Sequence, residues 1–289
     1  MSIAFDQRDG FIWMNGEMSP WAETKVHVLT HGLHYGSCVF EGERAYNGTI
    51  FKLREHTERL AYSARELGFE LPYSIDEIDA ACIETLEANG LTDGYIRPVA
   101  WRGSEMMGVS AQQNRINVAV AAWEWPSYFD PAERLKGIRL DLAKYRRPSP
   151  DTAPCHAKAA GLYMICTLSK HEAERKGYAD AMMLDWRGQV AEATGANVFF
   201  IDNGVIHTPT PDCFLDGITR RTVIGLAEAR GHEIVERAIM PEEMEGFSEC
   251  FITGTAAEVT PVSEIGPYKF TPTEISKNLM DDYTALVSG

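Results

Sequence analysis

Three of the four Asn-Gly pairs constrain the folding of this chain more than any other local feature. They fall at Asn15-Gly16, Asn47-Gly48 and Asn203-Gly204, after the strand-like runs Phe11–Met14, Arg44–Tyr46 and Val198–Ile201. Both residues of such a pair tolerate positive φ, as a two-residue hairpin turn demands, so each pair predicts an antiparallel hairpin. Amphipathic helices lie between them. Residues 54–67 put Leu60, Ala64 and Leu67 on one face and stop at Gly68. Ser74 with Glu77 predicts a capping box for a helix that reaches about Ala88 and ends at Asn89-Gly90. Strands follow at Tyr95–Trp101, Ile116–Trp123, 138–143 and 181–185, with a further hairpin over 189–208. Helices over 160–176 and 218–230 are closed by Gly177 and Gly231. The last helix is expected from Thr271-Pro272, with Glu274 completing a capping box and Ile275, Leu279 and Leu286 as its apolar stripe.

Strands and helices grouped in batches, without strict alternation, indicate an α+β fold. A length of 289 residues suits two modest domains. The stretch Glu124–Lys136 carries Pro126 and Pro131 and reads as a connection. The expected division is a small domain over 1–125, a linker over 126–136 and a larger domain over 137–289. With 45% hydrophobic and 24% charged residues, the chain can bury a substantial core. Its 27 Lys+Arg against 42 Asp+Glu give a net charge of −15, which argues against a general nucleic-acid binder. No apolar run approaches the roughly 18 residues of a membrane span, and the first ten residues lack a basic leader and an apolar signal core. A cytoplasmic location is therefore expected. The six scattered cysteines include no C-x-x-C and read as reduced thiols. His27, His31 and His34 resemble metal-ligand spacing, but a strand-and-loop setting favours packing, so no metal site is expected. Residues 134–147 hold six cations against Asp141 alone, either as a solvated face or as a positive rim for an anionic substrate.

Several residues could carry chemistry. Asp216-Gly217-Ile218-Thr219 opens a helix whose first-turn N–H groups suit a phosphate, and Thr253-Gly254-Thr255-Ala256 offers a second set of donors in a turn. Each is also ordinary capping sequence. Lys158 stands among small residues in Cys155–Gly161; partial burial would lower its pKa and yield a nucleophilic amine, whereas at an exposed helix start it would be a plain surface charge. Tyr163, five residues on, could share that face. Glu192 enters the apolar strand Val198–Ile201 through small residues, and a buried carboxylate there needs a cationic or proton-donating partner. A lysine for an aldehyde, a carboxylate for a ring nitrogen and donors for a phosphate together describe pyridoxal 5'-phosphate.

The order Lys158, Tyr163, Glu192-x-x-Gly195-x-Asn197, Gly217-Ile218-Thr219-Arg220, Gly254-Thr255-Ala256-Ala257-Glu258 resembles the class IV (fold-type IV) pyridoxal-phosphate aminotransferases. So do His34-Tyr35-Gly36, Val39–Tyr46 and Phe51–His56 with Arg59-Leu60. Within that class, Tyr95-Ile96-Arg97-Pro98 and Met107-Gly108-Val109 are most similar to the branched-chain amino-acid aminotransferases. The resemblance implies a two-domain enzyme that moves the amino group of leucine, isoleucine or valine to 2-oxoglutarate. It also implies a homodimer or larger even oligomer. By the same resemblance, Lys158 carries the cofactor, Glu192 faces its ring nitrogen and Tyr163 its phenolic oxygen. Arg59, Ile218, Thr219 and Thr255 would hold the phosphate. Tyr35, Phe40, Trp125 and Tyr128 would form the side-chain pocket, while Tyr95, Arg97, Thr255 and Ala256 would take carboxylates. Three positions depart from the pattern: Glu43 replaces a usual aliphatic residue, Leu162 a frequent Asn, and Ser110–Gln113 lacks a proline. The first and third are expected to touch the substrate pocket, which keeps a transaminase for D-amino acids or (R)-amines as the alternative.

Overall fold

A computed structural model describes residues 3–125 and 134–289 of the chain. Two compact units emerge, one of residues up to 126 together with 157–161, the other of 127–156 and 162–289. Residues 157–161, which the sequence division puts in the larger domain, thus pack with the first unit. Much of the predicted linker lies outside the described residues.

The first unit holds β1 (Phe11–Met14), β2 (Glu17–Pro20), β3 (Cys38–Phe40), β4 (Glu43–Tyr46), β5 (Thr49–Ile50), β6 (Gly94–Arg102) and β7 (Ile116–Glu124). It also holds α1 (His31–Tyr35), α2 (Leu53–Glu66) and α3 (Ile75–Ala88). The strands form one antiparallel sheet in the order β2-β1-β7-β6-β4-β5, with β3 also paired to β6. Asn15 and Asn47 adopt φ of 53° and 50°, with positive φ at the glycine after each, so both predicted hairpin turns form. The capping box of Ser74 and Glu77 is present, and α3 runs to Ala88 as its sequence dictates.

Strand alternation then divides the sheet into two faces. Trp13, Val39, Ala45, Ile96, Ala100, Val118 and Val120 point toward Leu60 and Ala64 of α2 and Ile78, Cys82 and Leu86 of α3, and make one core. A fully buried leucine such as Leu60 contributes about 1.5–3 kcal/mol through its removal from water. The opposite parity (Ile12 and Met14, Phe40, Tyr95, Arg97, Val99 and Trp101, Ala119 and Ala121) makes the other face. The short α1 is a departure from the expected strand and loop. Each of the three histidine rings finds a backbone partner: His31 Nε2 meets the Gly108 carbonyl at 2.9 Å, His34 Nε2 the Val28 carbonyl at 2.8 Å, and His27 Nδ1, ahead of α1, accepts from Leu29 N–H.

The second unit holds β8 (Ile138–Leu142), β9 (Asp180–Leu184), β10 (Val190–Ala193), β11 (Asn197–Asp202) and β12 (Val205–Pro209). It continues with β13 (Ile234–Arg237), β14 (Glu249–Gly254), β15 (Glu258–Ile265) and β16 (Tyr268–Lys269). Its helices are α4 (Tyr163–Arg175), α5 (Ile218–Ala229) and α6 (Glu274–Ser288). The sheet path is β10-β9-β8-β15-β14-β11-β12-β13, with β16 on β15. An added pairing of Glu192 with Asn197 joins β10 to β11 and closes six strands into a ring. Leu140, Met182, Val198, Phe200, Ile252 and Val262 fill a core there. Asn203 at φ 49° makes the third predicted turn.

Three expectations for α6 fail. Thr273, not Thr271, precedes the helix, and no local capping box forms. The carboxylate of Glu249 on β14 takes that place, accepting from the backbone N–H of Thr273 at 2.9 Å and of Ser276 at 3.1 Å. Leu286 is exposed, and Leu279, Met280, Tyr283 and Val287 carry the buried stripe.

Candidate active site

Lys158 sits in extended chain ahead of α4, so the expectation that Tyr163 shares a helical face with it does not hold. Its segment is pinned to β3 by an isolated bridge. Ala159 bridges to Val39, the Lys158 carbonyl accepts from Phe40 N–H at 3.2 Å, and its own N–H donates to Ser63 Oγ at 2.9 Å. The side chain lies over the Phe40 ring, with Nζ 4.9 Å from the centroid. Burial lowers the amine's pKa, opposed by the Glu41 charge and reinforced by Arg59.

Beside it lies a fully buried carboxylate that sequence reasoning passed over. Glu41 accepts from His56 Nδ1 at 2.7 Å and from Arg59 Nε and Nη2 at 2.7 and 2.8 Å. Burial alone would raise its pKa, but the Arg59 charge and these hydrogen bonds hold it far below the carboxylate range. His56 and Arg59 are i, i+3 on α2, a spacing readable in advance; their convergence on residue 41 is not. Arg59 is therefore fixed by a bidentate pair on one side.

The other wall is aromatic. The Arg97 guanidinium stands 4.8 Å from the Phe40 centroid and 5.2 Å from that of Tyr95, and Nη2 donates to the Tyr95 hydroxyl at 3.2 Å. Tyr95 stacks on Trp123 at 5.1 Å and packs obliquely on Trp125 at 5.2 Å. Trp123 is an addition to the predicted set, placed there by strand parity. Next to this cluster an open apolar pocket of about 470 Å3 is lined by Arg97, Val99, Trp101, Cys38, Ala119 and Ala121, among others. Burial pushes the Cys38 thiol up to about 11 against the pull of Arg97, so this thiol stays protonated. Tyr35 stacks on His31 at 4.6 Å and is 47% exposed, outside the aromatic cluster. Tyr128 lies outside the described residues.

Glu43 corrects an expectation. It shares the parity of Ala45 on β4 and so faces the α2–α3 core, not the substrate side of the sheet. It is wholly buried, and neither carboxyl oxygen has a well-formed hydrogen bond. Burial, and then the charges of Glu41 and Asp79, raise its pKa well above the ordinary value.

In the second unit Glu192 is buried at the ring-closing pair, with Oε1 3.3 Å from Arg147 Nε and Oε2 3.5 Å from Asn197 Nδ2. Arg147 is 3% exposed, so the six-cation stretch is neither a solvated face nor a rim at this residue. A long cation inside a basic run carries no sequence sign of burial. Tyr163 opens α4. Ile218 and Thr219, both buried, form the first turn of α5, whose N-cap is Gly217 and which no side chain caps. Thr255 and Ala256 form the turn between β14 and β15, and a Cβ on Gly254 would stand 3.2 Å from the Gly195 carbonyl.

The chain has known relatives. A match to the family described as amino-transferase class IV spans residues 38–265, and the chain belongs to that family. Over its whole length it is similar to named enzymes. It is 42% identical to the probable branched-chain-amino-acid aminotransferase of Rickettsia conorii, over 99% of this chain and 98% of that one. It is also 42% identical to the branched-chain-amino-acid aminotransferase of Pseudomonas aeruginosa, over 100% and 96%. Among solved structures, the branched-chain amino acid aminotransferase of Thermoproteus uzoniensis, solved with norvaline, superposes with a TM-score of 0.92 at 36% identity, covering 98% of this chain and 96% of that one. Another branched-chain amino acid aminotransferase, solved with pyridoxamine 5'-phosphate, superposes with a TM-score of 0.95 at 39% identity, covering 98% and 95%.

Proposed function

We infer that this chain is a pyridoxal 5'-phosphate-dependent branched-chain amino-acid aminotransferase, exchanging the amino group of L-leucine, L-isoleucine or L-valine with 2-oxoglutarate. The observation that carries the reading is Lys158. Its amine is pushed toward the neutral form by burial and set over an aromatic ring, within a chain similar along its length to enzymes of that name. The residues fit the cofactor: a depressed lysine, a buried carboxylate, and a helix end with no side-chain cap. Pyridoxal phosphate, when bound, supplies an aldehyde for amines and an electron sink for the carbanion at Cα.

Lys158 would carry the cofactor and, once released, take the proton from the Cα of the amino acid; its lowered pKa supplies the neutral amine this needs. Glu192, its charge balanced by Arg147, would hold the proton of the ring nitrogen, and Tyr163 would donate to the phenolic oxygen. The N–H groups of Ile218 and Thr219, the Thr255 turn and the oriented Arg59 would bind phosphate. Phe40 and Trp125 would pack on a branched side chain, joined by Tyr35 and Tyr128. Arg97, with Tyr95, would take the distal carboxylate of 2-oxoglutarate, whose methylenes lie along the same rings. The Thr255-Ala256 backbone would take the α-carboxylate. In the chain these roles divide between the small domain over 1–125, which carries Arg59, Tyr95 and Arg97, and the PLP-binding domain over 137–289, which carries Glu192, Ile218, Thr219 and Thr255, while Lys158 packs with the former.

We place the enzyme in the cytoplasm: all six cysteines are free, and no described helix is long and apolar enough to cross a membrane. We also propose a homodimer or larger even oligomer, supported by the exposed apolar Val26, Val28, Leu33 and Val109. A light-scattering mass of one 32.2 kDa chain would refute that. The inward orientation of Glu43 removes one motive for a D-amino-acid or (R)-amine transaminase. The deciding assay pairs each L-branched-chain amino acid, and its D-enantiomer, with 2-oxoglutarate. Turnover of the L-series is expected, and good D-turnover beside a silent L-series would overturn the reading.

A further inference from the structure

Asn197 makes no contact assigned above to substrate or cofactor, yet it stands where the two halves of the proposed cofactor site meet. It begins β11, is 5% exposed, and pairs across the ring seam with Glu192. Its Nδ2 donates to the Leu215 carbonyl at 2.9 Å and lies 3.5 Å from Glu192 Oε2. Its Oδ1 fills the space beside Gly217: a Cβ on that glycine would stand 2.2 Å away, far inside van der Waals contact. Gly217 has φ −63° and ψ 140°, a conformation open to any residue, so the need for glycine is steric and comes from Asn197.

We propose that Asn197 is a positioning residue that locks the ring-nitrogen carboxylate Glu192 and the phosphate-binding end of α5 into one rigid body. The Asn197 amide joins the strand that carries Glu192 to the backbone at Leu215, three residues before Ile218. Packing against Gly217 sets how closely the helix end approaches β11. A cofactor held at its ring nitrogen and at its phosphate depends on the distance between the two anchors, and this side chain fixes that distance. The proposal rests on the pyridoxal-phosphate reading of the site.

The test is a double-mutant cycle on the full chain stripped of cofactor, with variants N197A, G217A and N197A/G217A. Fluorescence titration gives Kd for pyridoxal phosphate and for pyridoxal, which lacks the phosphate. N197A is expected to weaken pyridoxal phosphate about tenfold to a hundredfold while weakening pyridoxal much less, so the advantage conferred by the phosphate shrinks. G217A alone is expected to be the most impaired. N197A/G217A should bind no worse than N197A, because the methyl then occupies the space that Oδ1 has left. Multiplicative losses in the double variant, an equal loss for both ligands, or an unchanged N197A would overturn the proposal. If G217A fails to fold, N197A and the double variant still decide the matter through the ratio of the two ligands. A wild-type chain that binds neither ligand would refute the cofactor reading instead.

Discussion

Replacing Glu43 by Gln should make the protein more stable as pH rises, by an amount that grows with pH. In the folded chain Glu43 keeps its proton well above the ordinary value of 4.5, first because of burial and then because Glu41 and Asp79 oppose its charge. In the unfolded chain it ionises near its ordinary value. Between those two points the folded state holds one more proton than the unfolded state. Stability therefore falls by about 1.4 kcal/mol per pH unit through this group alone. Glutamine carries no titrating proton, so the slope disappears in the variant. All other titrating groups are shared and cancel in the difference, while the buried amide adds an offset that does not vary with pH. From pH 5.5 upward the gap between variant and wild type should widen by about 1.4 kcal/mol per pH unit until folded Glu43 itself ionises. At roughly 2–4 °C per kcal/mol this is on the order of 3–6 °C in Tm for each pH unit. Thermal melts of the two proteins at half-unit intervals measure it directly. Parallel curves would mean that folded Glu43 is already ionised at pH 5.5, and the argument from its buried, unsatisfied oxygens would fail. Glu43→Ile, which removes the titrating carboxyl altogether, should remove the slope as well.

Other perturbations separate the remaining parts. Glu41→Ala takes the carboxylate away from buried His56 and from Arg59 and should cost about 3–5 kcal/mol in urea unfolding; a loss under 1 kcal/mol would deny the pair its anchoring role. Because the folded pKa of Glu41 is depressed, its contribution is present above the unfolded pKa and lost as pH falls through the folded one, so wild type and variant should converge in acid. Arg97→Met should reduce kcat/KM for 2-oxoglutarate about 10–100-fold and for leucine far less, since only the former brings a distal carboxylate; equal losses would place Arg97 elsewhere in the reaction. Ser74→Ala removes the capping hydroxyl of α3 and should lower stability by about 1 kcal/mol, some 2–4 °C in Tm, with activity unchanged at lower temperature.

What the sequence determined by itself is what neighbours in sequence can enforce. Asn15-Gly16, Asn47-Gly48 and Asn203-Gly204 each set their own turn, because positive φ is a property of two residues and needs no distant partner. Ser74 and Glu77 likewise cap α3 from three residues apart. The order of Lys158, Glu192 and the α5 start was enough to suggest a cofactor, since the chemistry needs those residue types wherever they end up. The rest waited for tertiary structure. Glu249 caps α6 from another strand, where the local pair at 271–274 does not. Arg147 lies buried against Glu192 although its sequence neighbours are surface-like cations. Glu41 gathers His56 and Arg59, and Asn197 reaches across to Gly217, through contacts spanning 15 to 20 residues. Parity on β4 turned Glu43 from the substrate side to the core, which alternation alone cannot decide until the sheet has chosen the face its helices cover. A long-range pair has no signature in either partner's neighbourhood. Its energy exists only once the fold brings the two together, and that is why the site's chemistry could be named from sequence while its alignment could not.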